Sequence, residues 1–541
     1  MRRRSQLTFP KRPRMIRHLS PKTGAHGYED LSPAARPNVI FITVDMIPPE
    51  SYAPESPIRQ HLRTPNLDRL ARDGVRFTNA FGVSPLCGPS RAGYLTGRYP
   101  YLLVNEERAH DGSEVALRAS DAIFPEYLKA VGYHTKHVGK SHVGTAKFLD
   151  AFGENDTPWN RWAPPMEDDD GYLRYLAELG LEPPVWPNPI RGLRPDRKTP
   201  GNSYGGWIAR PDGSEFPEQG TYSQYQAWLA CEKLERALRQ RPSGPLYLQL
   251  DFFSPHQPFM VPSAYRDRAR ELAEHIKLPR SYFDAMDGKG VEWPRVYEFY
   301  RWNWGLYDEA AAREYMLLNF LEIEALDAAI GRFLAALDEK GLYERSVIIL
   351  AGDHGEMNGE RGLIDKGVYG HPKVARTPLV VKLPNDAGRG STVETLVSLL
   401  DIAPTVFELA GVSPTERLDG QSLLPIIRGG KDHRPFIFEC GWHVCPNPAV
   451  ATFAKLDDGR RFMYAHNLTS EYDELYDLAD PLYRDRARDK AFADVRAQMI
   501  RRLAVILEAD PRWTCYWHTF RLDKYEFLNV GPGDFQMRKP H

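Results

Sequence analysis

Cysteine is scarce in this sequence and badly placed for cross-linking. Five are scattered over 541 residues, at positions 87, 231, 440, 445 and 515, which does not make a disulfide framework. Cys440 and Cys445 are close enough in sequence to pair or share a metal, but the pattern reads more readily as two separate thiols. Net charge is also lacking, since 70 Lys and Arg stand against 72 Asp and Glu. That excludes a general attraction to nucleic acid or to an anionic membrane, so any anion site must be built locally. No apolar run reaches transmembrane length. The basic stretch Met1–Arg17 carries no apolar segment of the secretory-signal kind. The expectation is a soluble, cytoplasmic protein with neither nucleic acid nor membrane as a partner.

What is present is a chain too long for one core, which predicts a large catalytic domain and a smaller unit. Residues 1–36 are basic and Pro-containing and read as a disordered tail. Asn38–Asp45 is a continuous apolar run, the mark of a strand buried on both faces of a parallel sheet. Strands are also read at Val75–Phe81, His134–Gly139, Leu246–Phe252 and Val347–Leu350, and helices at Thr64–Ala71, Phe124–Ala130, 224–239 and 307–340. This alternation predicts an α/β class: a doubly wound, mostly parallel sheet flanked by helices over residues 37–430. Two stretches, 155–220 and 262–305, look like irregular insertions. They carry Trp159, Trp162, Trp186, Trp207, Trp293, Trp302 and Trp304, read mainly as packing groups. Short strands at Phe436–Phe438, Val450–Phe453 and Phe462–Tyr464, with a helix near 492–508, predict an α+β C-terminal subdomain over 431–541.

The chemistry gathers first at Ser84-Pro-Leu-Cys-Gly-Pro-Ser-Arg91. Pro89 suits a first helical turn and Gly97 a far cap, so Cys87 falls at the positive end of a short helix, with Arg91 one turn on. That suits attack on a sulfuryl or phosphoryl group. In open α/β sheets, ligands bind beyond the carboxyl ends of the strands. Here Asp45 closes the first strand, Asp353-His354 closes the late one, and His256 follows the third. An Asp after a strand ordinarily caps a helix, and a single His is ordinarily a satisfied polar group. Together with Cys87 they make a mixed oxygen and nitrogen set that favours Ca²⁺, Mg²⁺ or Mn²⁺ over structural zinc.

These motifs occur in a telling order. Asn38–Asp45, Cys87-Gly-Pro-Ser-Arg91, Gly139-Lys-Ser-His-Val-Gly144, Ser254-Pro-His-Gln-Pro258 and Gly352-Asp-His-Gly-Glu356 are followed by Lys366, Asp401–Thr405 and Leu418–Leu423. Over roughly residues 37–480 the chain resembles the formylglycine-dependent (type I) sulfatases of the alkaline-phosphatase superfamily. The resemblance implies that a formylglycine-generating enzyme converts Cys87 to formylglycine (3-oxoalanine). A hydroxyl of its hydrate then attacks the sulfur of a small-molecule or saccharide sulfate ester. It implies that Arg91 and Lys140 balance charge there, that His256 and Lys366 contact the sulfuryl oxygens or protonate the leaving group, and that His142 acts as base. It also implies one metal ion held by Asp45, Asp353, His354 and the modified Cys87, with Ca²⁺ the usual ion and Mn²⁺ or Mg²⁺ the alternatives. One departure is Met46, where many sulfatases carry a second aspartate. A thioether is a poor ligand for a hard cation. Choline-sulfatase-like and phosphonate-monoester-hydrolase-like members share that feature and the Asp-His pair. Phosphonate monoester or phosphodiester hydrolysis on the same scaffold is therefore the rival reading, and a non-catalytic protein with a decayed site the third. The natural substrate and oligomeric state are not legible.

Overall fold

A computed structural model describes residues 36–100, 117–118, 120–153, 157–193, 196, 198–241, 243–288, 293–430, 435–443, 445–468, 470 and 472–513. The expected basic tail before Arg36 and Cys515 lie outside the described residues.

Successive side chains of a strand point to opposite faces, and in the first strand both sets are apolar. Ile40, Ile42 and Val44 enter one core while Val39 and Phe41 enter another, so this strand must lie between two layers. The strands of the sheet are β1 (Asn38–Val44), β2 (Val75–Phe77), β3 (His134–Lys140), β4 (Thr157–Trp159), β5 (Leu246–Asp251), β6 (Ser346–Gly352), β7 (Leu379–Lys382) and β8 (Thr392–Val393). Their spatial order is β8-β2-β7-β6-β1-β5-β3-β4. The run from β6 to β4 is parallel throughout, and β7 is antiparallel to both of its neighbours. In chain order the helices are α1 (Pro65–Asp73), α2 (Cys87–Thr96), α3 (Phe124–Ala130), α4 (Thr145–Phe152), α5 (Asp170–Glu178) and α6 (Tyr222–Gln240). They continue as α7 (Arg266–Ala273), α8 (Arg280–Met286), α9 (Arg295–Trp304), α10 (Glu309–Glu339), α11 (Ile402–Ala410) and α12 (Ala493–Ala509). Helices α1, α6 and α10 cover one face, and α2, α3, α4 and α11 cover the other. The fold is α/β, with a mostly parallel central sheet flanked by helices and a smaller subdomain at its C-terminal end.

Two expectations need correction. The stretches read as irregular contain helices, α5 in the first and α7, α8 and α9 in the second. No long apolar period marks them: Asp169 caps α5 by accepting the Gly171 and Tyr172 N–H groups, while Pro279 and Pro294 precede α8 and α9 without a side-chain cap. Val75–Phe81 is not one strand. Thr78 and Asn79 turn, and Ala80–Phe81 pairs separately with Val397–Ser398.

Beyond residue 435 lies a four-stranded antiparallel sheet, β9 (Phe436–His443), β10 (Cys445–Lys455), β11 (Arg461–Asn467) and β12 (Glu474–Asp477), with α12 packed on it. Its core is shared with the main domain. Phe81 and Leu86 join one cluster, and Val83 and Tyr99 another, while the Glu439 N–H donates to the Val83 carbonyl at 2.9 Å. The small sheet thus supports the segments on either side of α2. Cys231 and Cys440 are free thiols. Among the described residues no helix is long and apolar enough to cross a membrane.

Candidate active site

Strand register brings the chemistry together. Val44 pairs with Gly352, Thr43 with Asp251, and Gly139 with Asp251, so four parallel strands end level with one another. The turns beyond them are locked by backbone bonds: the Asp353 N–H donates to Val44 O, the Ile47 N–H to His354 O, and the Asp45 N–H to Ser254 O, each at 3.1 Å.

Cys87 opens α2, where Leu86 provides no capping side chain to offset the positive helix end, and Gly97 closes the helix at φ 67°. The Cys87 Sγ lies 3.1 Å from His354 Nε2 and 3.5 Å from Asp45 Oδ1. In chemistry on a modified residue 87, this sulfur stands in for the side-chain oxygen. Asp45, Cys87, Asp353 and His354 each offer a ligand atom, all within 4.8 Å of one another, and all four residues are buried. His354 Nδ1 is 2.8 Å from the Gly355 carbonyl and can only donate to it, so Nε2 is the nitrogen turned toward the cluster.

Arg91, fully buried, holds this centre from behind. Its Nε donates to Asp353 Oδ2 at 3.0 Å, its Nη2 to Asp45 Oδ2 at 3.2 Å and its Nη1 to the Lys140 carbonyl at 2.9 Å. Lys140 Nζ is 2.5 Å from Asp45 Oδ2 and donates to the Trp162 carbonyl at 3.0 Å. Both cations therefore engage the outer oxygens of the carboxylates and leave the inner ones toward Cys87. Asp251, absent from the sequence-derived set, lies 3.8 Å from Arg91 and takes bonds from Gln249 at 2.7 Å and Thr43, with His137 Nε2 at 2.8 Å. A signal was available: Gln249 and Asp251 are two polar residues on one face of an otherwise apolar strand. Asp45, Asp251 and Asp353 thus crowd three buried carboxylates around Arg91 and Lys140, and the oxygen and nitrogen donor set at Cys87 is one that a divalent cation fits.

The protonation of the site follows from these contacts. Burial and Cys87 push the Asp45 carboxyl up, but Lys140, His256 and Arg91 outweigh them and hold it below its ordinary value. Burial and the Asp45 charge hold Asp353 above its own. Burial pulls His354 down, yet Asp353 and Cys87 lift it to about 9.

Opposite the carboxylates, Lys366 Nζ is 2.5 Å from His256 Nε2, 3.3 Å from Asp365 Oδ1 and 3.8 Å from Met46 Sδ. His256 Nδ1 donates to the Gln257 carbonyl, which turns Nε2 to the lysine. Met46 occupies the place beside Asp45 with its sulfur toward this ammonium, and its N–H donates to Asp353 Oδ1 at 3.1 Å. His142, at φ 52°, lines the same cavity of about 390 Å³ as Cys87, His256 and Lys366. Of the insertion tryptophans, Trp162 lines this cavity; Trp159, Trp186, Trp207 and Trp293 pack against core clusters. A second cavity of about 230 Å³, between α1 and the sheet, holds none of these groups.

Comparison with known proteins bears on this geometry. The family model described as Sulfatase matches residues 37–412, and one described as N-sulphoglucosamine sulphohydrolase, C-terminal, matches 359–508. An arylsulfatase of Clostridium perfringens is 27% identical over 409 residues, covering 72% of this chain and 78% of that protein. A choline-sulfatase of Rhizobium meliloti is 27% identical over 487 residues, covering 85% and 86%. The crystal structure of a phosphonate monoester hydrolase of Agrobacterium radiobacter superposes with a TM-score of 0.61 at 22% identity, covering 86% of this chain and 95% of that one.

Proposed function

The chain belongs to the sulfatase family, the sulfuric ester hydrolases, and from that premise we propose that it cleaves a sulfate monoester at a formylglycine made from Cys87. The observation that carries this reading is the meeting of Cys87 with Asp45, Asp353 and His354 within 4.8 Å, backed by Arg91 and Lys140. Asp45, Asp353 and His354 would hold one divalent ion, Ca²⁺ first and Mn²⁺ or Mg²⁺ next. Such an ion supplies Lewis acidity that makes an oxygen at position 87 a nucleophile near neutral pH. The chain's own groups do the rest. Arg91 and Lys140 fix the outer carboxylate oxygens, so the inner ones keep their aim. Lys366 holds a proton at Nζ, facing the cavity beside His256, and is placed to give it to the departing alcohol oxygen or to bind the sulfuryl oxygens. His256, with Nδ1 on the Gln257 carbonyl and Nε2 against Lys366, keeps that ammonium in position. His142 is the proposed base for regenerating residue 87.

The substrate is a small-molecule or saccharide sulfate ester, in keeping with the choline-sulfatase relative. The maturation partner is a formylglycine-generating enzyme. Mass spectrometry of the tryptic peptide Phe77–Arg91 tests the reading. An active preparation is expected to carry the aldehyde at position 87, and an active one carrying only intact thiol there overturns it. Turnover of an aryl phosphonate monoester above that of the matching aryl sulfate would favour the rival chemistry.

A further inference from the structure

Resting on the sulfate-ester reading above, we infer that the alcohol released by this site is a neutral, hydroxylated sugar ring. A free hydroxyl beside the ester bond donates to the side-chain oxygen of Gln257. The cavity above Cys87, about 390 Å³, is near the small end of ligand pockets and suits one compact ring better than a long chain. Outside the groups assigned to the reaction, its walls include Trp162, Asn202, Ser203, Gln257 and His443, and among the described residues no aliphatic side chain lines it.

That composition discriminates between leaving groups. A sterol, alkyl or simple aryl alcohol gains its affinity from apolar area, about 25 cal/mol per Å², and needs apolar walls to do so. A quaternary ammonium needs an aromatic cage. Here Trp162, 52% exposed, is the one indole lining the cavity among the described residues. Tyr204 is almost fully buried and packs edge-on against Tyr315, and Asp365 is committed to Lys366 at 3.3 Å. Lys366 itself repels a second cation. A sugar ring meets each feature of this lining, with its C–H face against the exposed indole and its hydroxyls against two amides, a hydroxyl and an imidazole.

Gln257 gives the inference its sharpest point. The residue is 6% exposed, and its Oε1 is buried with no hydrogen-bond partner. An acceptor left unmade in this way costs about 1–3 kcal/mol, which a donor on the bound substrate recovers. Its backbone is tied to the site, because its own carbonyl takes the His256 Nδ1 proton. The residue lines the cavity together with His256 and Lys366, so its amide is offered to the ring carbons beside the departing oxygen.

The test compares kcat/KM for monosulfated glucose, galactose and N-acetylglucosamine isomers with cyclohexyl sulfate and choline sulfate, using 4-nitrophenyl sulfate as the measure of active enzyme. Cyclohexyl sulfate has the same ring size and an equally unactivated alcohol but no hydroxyls. The best sugar sulfate is expected to exceed cyclohexyl and choline sulfate at least 100-fold, and its deoxy analogue at the neighbouring carbon to lose at least tenfold. Gln257→Leu is expected to lower the ratio of sugar to 4-nitrophenyl sulfate kcat/KM at least tenfold and to erase the deoxy penalty. If 4-nitrophenyl sulfate is cleaved but cyclohexyl or choline sulfate matches every sugar ester, the inference falls and the sulfatase reading stands. An unchanged deoxy penalty in the variant removes Gln257 from the role. If enzyme carrying the aldehyde cleaves no sulfate ester, both readings fall together.

Discussion

At Lys366 burial and charge oppose each other. Burial disfavours the ammonium, but Asp365, Cys87 and Asp45 outweigh it and hold the lysine above its ordinary value. Asp365 sits at φ 66°, a conformation that Asp tolerates better than most residues. Glu356 Oε1 clamps the turn by accepting the N–H groups of Asn358 at 2.9 Å and Asp365 at 2.5 Å. The proton at Nζ is thus held by structure and not only by solution pH. Lys366→Met is expected to lower kcat/KM by about 10²–10⁴ for an alkyl sulfate, the range for a lost general acid. The loss should be much smaller for 4-nitrophenyl sulfate, whose leaving group needs no proton. Steady-state kinetics on both esters decide it, and equal losses would assign Lys366 to the sulfuryl oxygens instead.

A single glycine shows how an element delivers a side chain. Gly139, at φ 108°, faces its register partner Asp251, and a Cβ there would lie 1.8 Å from the Asp251 carbonyl oxygen. Only without a side chain can β3 run this close to β5 and carry Lys140 to within 2.5 Å of Asp45. Gly139→Ala must part the two strands as well as adopt an unfavourable backbone, so its destabilisation should exceed the roughly 1 kcal/mol of the backbone term alone. Thermal melting and 4-nitrophenyl sulfate turnover measured on the same preparation are expected to fall together. An alanine variant with wild-type melting and turnover would show that the β3–β5 approach does not set the site.

Across the whole molecule, the C-terminal sheet is a structural partner of α2 as well as a contributor to the cavity. Phe436, Phe438 and Phe453 pack with Phe81 and Leu86, while Ile437, Val450 and Tyr464 pack with Val83 and Tyr99. His443 reaches the cavity above Cys87. Removing residues 431–541 would expose both clusters and unsupport the segments on either side of α2. The truncated chain is expected in the insoluble fraction after expression, with no recoverable turnover. A soluble, active truncation would show that the main sheet holds α2 alone.

Local pattern carried much of this in the sequence. The apolar run of β1, the long period of α10, the cap at Gly97 and the motifs around Cys87, Asp45 and Asp353 are each written within a few consecutive residues, where periodicity and capping act. The sequence by itself thus determined the α/β class and the candidate reactive residues. The helices inside the insertions were missed because no long apolar period marks them, and α8 is only seven residues long. Tertiary structure alone decided the rest. Strand register, Val44 beside Gly352 and Gly139 beside Asp251, converts residues more than a hundred positions apart into neighbours. It places Asp251 behind Arg91, Met46 against Lys366 and Gln257, with an unmet acceptor, in the lining of the cavity that Cys87 shares. Those relations depend on which strands pair and how they twist, and no short stretch of sequence records them.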